Sequence, residues 1–221
     1  MTIETAQPLT PALPKPRLRG WIHAGMVPLV IASGVVLLVL ARGPGAKASC
    51  AVFVASAIML FANSAIYHLG AWGRVLTGVL RRLDHSNIAL IIAGTYTPLA
   101  VMLLSGRTRL VLLWLIWGGA VAAIAVRLLW LDAPRWSYVP IYVGLGWTAV
   151  WFLPSFWRSA GPAVVWLLLA GGLAYTGGAV IYALKRPNPL PRLLGFHELF
   201  HIGTVAGYTC HFVAVMAVGL R

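Results

Sequence analysis

The sequence predicts an all-α membrane protein, a bundle of seven transmembrane helices with its N-terminus in the cytoplasm and its C-terminus outside. Of the 221 residues, 60% are hydrophobic and only 10% are charged, whereas about a quarter of the residues in a soluble domain are charged. The apolar residues form seven runs, each long enough to supply the ~20 residues that cross a bilayer. The basic residues are distributed unequally between the two sides of these runs, which gives the orientation.

Gly, Pro and Arg residues separate the seven runs. We expect the spans at residues 21–41, 48–69, 84–104, 109–130, 136–156, 162–184 and 196–219. Residues 1–20 are polar and rich in proline, and they are expected to form a disordered cytoplasmic tail. Residues 21–221 are expected to form one transmembrane domain without a separate soluble domain, because all connections are short. The protein is therefore predicted to be a multi-pass protein of the plasma membrane.

The orientation follows from the lysines and arginines. With the N-terminus inside, eleven of the 17 basic residues lie in inside segments: Lys15, Arg17, Arg19, Arg74, Arg81, Arg82, Arg127, Arg135, Lys185, Arg186 and Arg192. This excess obeys the positive-inside rule. It also accounts for the net charge of +13 without a nucleic-acid partner, because no basic stretch has the interleaved aromatic residues that bind single strands.

Unusual polar residues lie near the inside ends of three spans. Ser64 and His68 share a face near the end of the second span, and Asp84 begins the third. His197 and His201 lie one helical turn apart at the start of the seventh span. All five residues should therefore lie at one membrane level. Three histidines and a carboxylate at one level are the ligand set of a catalytic zinc site, which has three protein nitrogens and one open position for water.

The other histidines fit this cluster less well. His85 follows Asp84 by one residue, so its side chain points about 100° away, and His211 lies about 15 Å from His201 along the helix axis. His23, at the inner end of the first span, can support the cluster or lie at the membrane interface. Glu198 completes an HExxH string, in which it would be the general base of a metalloprotease, but it lies off the histidine face of the helix.

Each member of the cluster also has a structural interpretation. Asp84 can pair with Arg81 or Arg82 at the head groups, and Ser64 can bond to the carbonyl four residues earlier. His197 and His201 can be two packed, hydrogen-bonded histidines. The conjunction of all these residues at one level favours the metal site, since none of the separate explanations predicts it.

Three segments carry a family resemblance: SAIYH at 64–68, RRLDHSNIALIIAGTYTP at 81–98 and FHELFHIGTVAGYTCHF at 196–212. In order, spacing and depth they resemble the hemolysin III family, the bacterial branch of the progestin and adipoQ receptor superfamily. The resemblance implies a seven-helix bundle with a cytoplasmic N-terminus. It also implies a zinc ion (Zn2+) held by His68, His197 and His201, with Asp84 reaching the metal through water and Ser64 close by.

One motif departs from the family. Members often have a Glu and an Asn shortly before the histidine of the first helix, whereas this chain reads RLRGWIHAG and keeps only His23. Eukaryotic relatives are described as receptors and as slow ceramide-type amidases, and the bacterial name records a cytolytic phenotype. The resemblance therefore implies these as candidate activities.

The leading hypothesis is a zinc-dependent hydrolase of a lipid amide or ester that enters from the bilayer. In it, Asp84 orients a water molecule and takes its proton, and Ser64 hydrogen-bonds a ligand or the developing oxyanion. The alternatives are a non-enzymatic sensor or regulator with a structural zinc, a metalloprotease that uses Glu198, and a cytolytic, pore-forming protein. In all of them membrane lipids are the expected partners.

Overall fold

The computed structural model describes residues 16–130 and 133–221. Within these residues, seven helices are long and apolar enough to cross a membrane. They are α1 (Trp21–Leu40), α2 (Pro44–Leu69), α3 (Arg74–Leu103), α4 (Gly106–Leu129), α5 (Arg135–Ala160), α6 (Pro162–Leu184) and α7 (Phe196–Gly219). A 3₁₀ segment, Thr148–Phe152, interrupts α5. The all-α fold with seven spans is confirmed.

Four helices are longer than predicted, and the difference is large for α2, α3 and α5. α2 begins at Pro44, where proline suits the first turn of a helix because it has no N–H to leave unpaired. α5 continues to Ala160. α3 begins at Arg74, ten residues before its predicted start, because the added segment RVLTGVLRRL is a good helix former but too polar for a search for apolar spans. Asp84 therefore lies about 15 Å inside α3 rather than at its end.

α3 is the central helix of the bundle. In its most apolar stretch 67% of the residues are buried inside the protein, compared with 17% for α5. A side chain at Gly94 would collide with Ser56 of α2, so the two backbones approach closely there. α3 is therefore covered by other helices, whereas most of α5 faces away from the protein.

The first and last helices close the bundle against each other. At the end of α1, the Arg42 N–H donates to the Gly219 carbonyl at 3.1 Å. Arg221, just beyond α7, donates to the carbonyl of Ala160 at the end of α5, at 2.7 Å. We call this the distal end of the bundle. The opposite end, where α1, α3 and α7 begin and α2 and α6 end, is the proximal end.

Residues 16–20 differ from the predicted disordered tail. They form a turn, and the N–H of Arg17 donates to the carbonyl of Arg192, in the connection between α6 and α7, at 3.0 Å. The rest of the predicted tail, residues 1–15, lies outside the described residues. The segment before α1 is thus joined to the connection before α7.

The contact between α6 and α7 depends on glycine. A Cβ atom at Gly203 would lie 3.0 Å from the Ala174 carbonyl oxygen and 3.0 Å from the Gly178 Cα, and both are backbone atoms that cannot move aside. The GxxxG formed by Gly203 and Gly207 thus marks a close helix contact, as small residues do in membrane bundles.

We expect Gly203→Leu to lower the melting temperature of the purified protein, because overpacking a tight contact costs about 1–3 kcal/mol or more. Gly177→Leu, also in this region, is the matched control, since an added Cβ there meets nothing within 4 Å. Equal melting temperatures for the two variants in thermal unfolding would contradict the close contact.

The orientation in the membrane stays a prediction, which reporter fusions can test. A reporter fused after Arg221 should be exported, and one at the N-terminus should remain inside, because the proximal end has the excess of basic residues. Reporters that place both termini on one side of the membrane would contradict the seven-span topology.

Candidate metal centre

The last turn of α2 and the first two turns of α7 bring three histidines together at the proximal end. His68, His197 and His201 each offer one ring nitrogen, and these nitrogens all lie within 4.8 Å of one another. The Nε2 atoms of His68 and His197 are 3.2 Å apart. His201 is 2% exposed and His68 7% exposed. The predicted ligand set therefore converges on one buried point.

The distance between the ring nitrogens of His68 and His197 suits a zinc ion. A Zn–N bond of about 2.0–2.1 Å in tetrahedral geometry places two ligand nitrogens about 3.3 Å apart, close to the 3.2 Å between His68 and His197. The buried Nδ1 of His201 has no hydrogen-bond partner among the described residues. A buried nitrogen without a hydrogen-bond partner is costly. A bond to a metal ion would offset that cost. The three residues present therefore fit the metal.

Asp84 and Ser64 lie beside this cluster. An Asp84 carboxylate oxygen is 3.9 Å from the Nε2 of His68, which is too long for a direct hydrogen bond but leaves room for a bridging water molecule. The Ser64 side chain lies near this carboxyl group, and both residues line the same cavity. The guanidinium of Arg82 contacts the Gly78 carbonyl instead. Asp84 thus faces the histidines, as the cluster interpretation predicts.

His23 of α1 belongs to the same cluster, and sequence reasoning left this undecided. It is 2% exposed, so it is not an interfacial residue. Its ring stacks on His201, with the centroids 3.9 Å apart and the planes at 8°. The edge of Phe61 contacts its other side. The sequence does contain one indication of this, because His23 is predicted at the same membrane level as Ser64 and His68.

Glu198 has a structural partner. It is completely buried, and one carboxylate oxygen accepts a 2.6 Å ion-pair hydrogen bond from Arg19. Its other oxygen accepts from the Gly195 N–H at 2.9 Å, which caps the start of α7. Glu198 therefore joins the segment before α1 to α7, and this arrangement argues against its use as a metalloprotease base.

His85 and His211 lie outside the metal cluster, as their helical positions predict. His85 Nδ1 is 3.1 Å from a guanidinium nitrogen of Arg127, which can only donate. His211 contacts the carbonyl of Leu168 at 3.2 Å, and its ring lies against Tyr175. Both histidines have roles in packing between helices.

An internal cavity of about 150 Å³ extends from the metal cluster into the bundle. At its proximal end it is lined by Ser64, Asp84, His197 and His201, and further in by apolar residues of α3, α5 and α6 as far as His211. An apolar cavity of about this volume stays dry and takes a small hydrocarbon. We call it the chamber.

The assignment of Glu198 can be tested by stability. Arg19→Met leaves a carboxylate fully buried without its charged partner, which should cost about 3 kcal/mol. Glu198→Gln should cost less, because glutamine still accepts from Gly195 and the partly exposed Arg19 can reach water. The double variant should lose less free energy of unfolding than the two single variants lose together, because both changes remove the same interaction.

Zinc content should stay unchanged in all three variants, as measured by mass spectrometry of the metal. A Glu198→Gln protein of normal stability that loses turnover would instead favour the metalloprotease hypothesis.

Comparison with known proteins gives consistent matches. The model of the family described as haemolysin-III related matches residues 12–212. The chain is 26% identical over 197 residues to the "Hemolysin-3 homolog" of Bacillus subtilis (strain 168), which covers 88% of this chain and 89% of the relative. It is 30% identical over 135 residues to "Hemolysin-3" of Bacillus cereus, covering 61% and 58% of the two chains.

Proposed function

Because this multi-pass membrane protein belongs to the haemolysin-III-related family, and its three histidines suit a zinc ion, we propose that it is a zinc-dependent hydrolase of membrane lipids. The bond cleaved is an amide or ester between a fatty acyl group and the rest of the lipid. The observation that carries the proposal is the chamber, because it is an apolar space with the histidines and Asp84 at one end.

His68, His197 and His201 would hold the ion. Bound there, it would supply a Lewis acid that polarises the acyl carbonyl and activates water near neutral pH. Neutral imidazole ligands leave the full charge of the ion available for this purpose. The stack of His23 on His201 keeps that ligand ring in one orientation, as supporting residues do in metal sites.

Asp84 is placed to move the proton. With its carboxylate 3.9 Å from His68 Nε2, Asp84 would accept a proton from the attacking water molecule and pass it to the leaving group. Ser64, which lines the chamber beside Asp84, would help to orient the carboxylate or stabilise the developing oxyanion. In the overall reaction the hydroxyl of water joins the acyl carbon, the C–N or C–O bond breaks, and the remaining proton goes to the amine or alcohol.

The chamber positions the acyl group. Its apolar walls favour a hydrocarbon chain and exclude bulk water. Its volume of about 150 Å³ suits the part of one chain next to the bond that is cleaved. A lipid lying in this way places its carbonyl beside the histidines and its head group towards the proximal end.

The test uses the full chain, purified in neutral detergent and incubated with single-chain lipid amides and esters. We expect release of fatty acid that a chelator abolishes and that added zinc restores, as detected by mass spectrometry. His23→Phe keeps an aromatic ring against His201 and should keep most of the activity. Fatty-acid release that is unaffected by complete metal removal would overturn the proposal.

A structural zinc is the second candidate. It is favoured by the origin of the ligands, because His68 and His197 are 129 residues apart in the chain and a shared ion would join α2 to α7. In that case the protein is a non-enzymatic sensor or regulator of lipid state, so it releases no fatty acid, and metal removal lowers only its stability. The name of the Bacillus cereus relative adds cytolysis as a possible consequence of lipid cleavage, since lipid products can weaken a membrane without a pore.

A further inference from the structure

A second, wider cavity lies at the proximal end. It has a volume of about 1010 Å³ and is lined by the segment before α1, the end of α2, the start of α3, the start of α5 and the end of α6. We call it the vestibule. Asp84, His85 and His197 line both the vestibule and the chamber. The histidine cluster therefore lies where the vestibule, which has charged residues in its lining, meets the apolar chamber.

The described walls of the vestibule are basic. Four cations come from four different segments, namely Arg19, Arg81, Arg135 and Lys185, and the acid among the described lining residues is Asp84. The charge of Arg19 is balanced by Glu198 behind it. A cavity with low-dielectric walls concentrates the field of like charges and attracts an ion of opposite sign. The vestibule thus suits an anion.

Two of these cations are held in different ways. Arg135 lies 4.1 Å above the Tyr182 ring and donates to the Tyr182 carbonyl at 2.7 Å, so its planar guanidinium is fixed beside the cavity. Lys185 ends α6 in a left-handed conformation, with φ 58°, and its side chain is exposed. One fixed guanidinium and one adaptable ammonium are a combination suited to phosphate oxygens.

We propose that the vestibule binds the phosphate head group of a membrane lipid whose acyl chain enters the chamber. The proposal rests on the proposed function and specifies its substrate class. An amphiphile that spans the two cavities puts its anionic head among the cations, its hydrocarbon in the chamber and the acyl carbonyl at the metal cluster. A neutral lipid of the ceramide type would bring no negative charge to these basic walls.

The experiment measures binding rather than turnover. Native mass spectrometry of the full chain in neutral detergent compares 1-oleoylglycerol 3-phosphate with 1-oleoylglycerol, which has the same chain and no phosphate. We expect the phosphate lipid to bind at least about tenfold more tightly, and rising salt to reduce this preference. Glycerol 3-phosphate and inorganic phosphate form the arm without a hydrocarbon chain.

Lys185→Glu should reduce the preference for the phosphate lipid about tenfold, since it removes one charge and adds its opposite. The matched control is Arg74→Glu, an equal charge change at an exposed position of the same end that does not line the vestibule. This control should preserve the preference. An equal loss in both variants would mean that only the general positive charge of this end matters, and would overturn the proposal.

The other outcomes are also decisive. Equal affinities for the two oleoyl lipids would overturn the proposal, and equal binding of inorganic phosphate and the phosphate lipid would show a free-phosphate site instead. A phosphate preference without any zinc-dependent fatty-acid release would support the head-group site and contradict the hydrolase. Zinc-dependent fatty-acid release from neutral lipids alone would support the hydrolase and contradict the head-group site.

Discussion

Single replacement of His68, His197 or His201 by alanine should remove most of the zinc from the purified protein, which we expect to contain about one ion per chain. Removing one of three protein ligands leaves too few nitrogens to hold the ion within a buried site. The melting temperature should fall together with the metal content, because the ion binds the folded chain and has no equivalent site in the unfolded one. Metal analysis and thermal unfolding measure the two effects.

His85→Ala and His211→Ala are the matched controls. Both remove a partly buried histidine from the same bundle, yet neither residue lies in the group of three converging nitrogens. They should retain the zinc even if they lower the melting temperature. If His85→Ala lost zinc as completely as His68→Ala, the assignment of ligands would be wrong.

The Asp84→Asn variant should keep its zinc and lose turnover by a factor of about 10² to 10⁴. Asparagine preserves the size of the side chain and most of its hydrogen bonding, but it cannot accept the proton of a water molecule. Ser64→Ala should have a smaller effect, because it loosens the orientation of the carboxylate and leaves the proton acceptor in place. Turnover, zinc content and melting temperature need to be measured on the same preparations.

The same variant separates the enzyme from a protein with a structural zinc. If Asp84 closes the coordination of the ion, Asp84→Asn should reduce zinc affinity and stability together, because an amide oxygen has no charge to balance the ion. Retained zinc with full turnover on a lipid that the unaltered protein hydrolyses would exclude Asp84 as the base.

Much of the candidate site could be predicted because its parts are local. The spacing of His197 and His201 places them on one helix face whatever the tertiary structure. The alternation of spans in a bilayer then brings His68 and Asp84 to the same level. Periodicity and membrane topology therefore suffice for the ligand set, whereas its exact geometry depends on packing between helices.

The parts that could not be predicted depend on contacts distant in sequence. The sequence leaves two interpretations open for His23, because its membrane level fits the cluster but its ring contacts, Phe61 and His201, come from other helices. The sequence does not predict the early start of α3, because segment 74–83 carries three arginines and charged residues are atypical of a transmembrane span. The sequence does not predict the ion pair between Arg19 and Glu198, because the two residues are 179 positions apart and no local pattern links them.

The closure of the bundle by its first and last helices has a consequence during biosynthesis. Arg19 and Glu198 are 179 residues apart, so at about 5–20 residues per second α1 waits on the order of 10 to 40 s in the membrane for its partner. Throughout that time His23 cannot stack on His201. The segment 16–20 likewise cannot bond to the connection that precedes α7. A ribosome that stops before α7 releases a chain with an open bundle and an incomplete set of metal ligands. If the three histidines hold a metal ion, loading can occur only in chains whose last helix has been inserted, and a bound ion would distinguish finished molecules from unfinished ones.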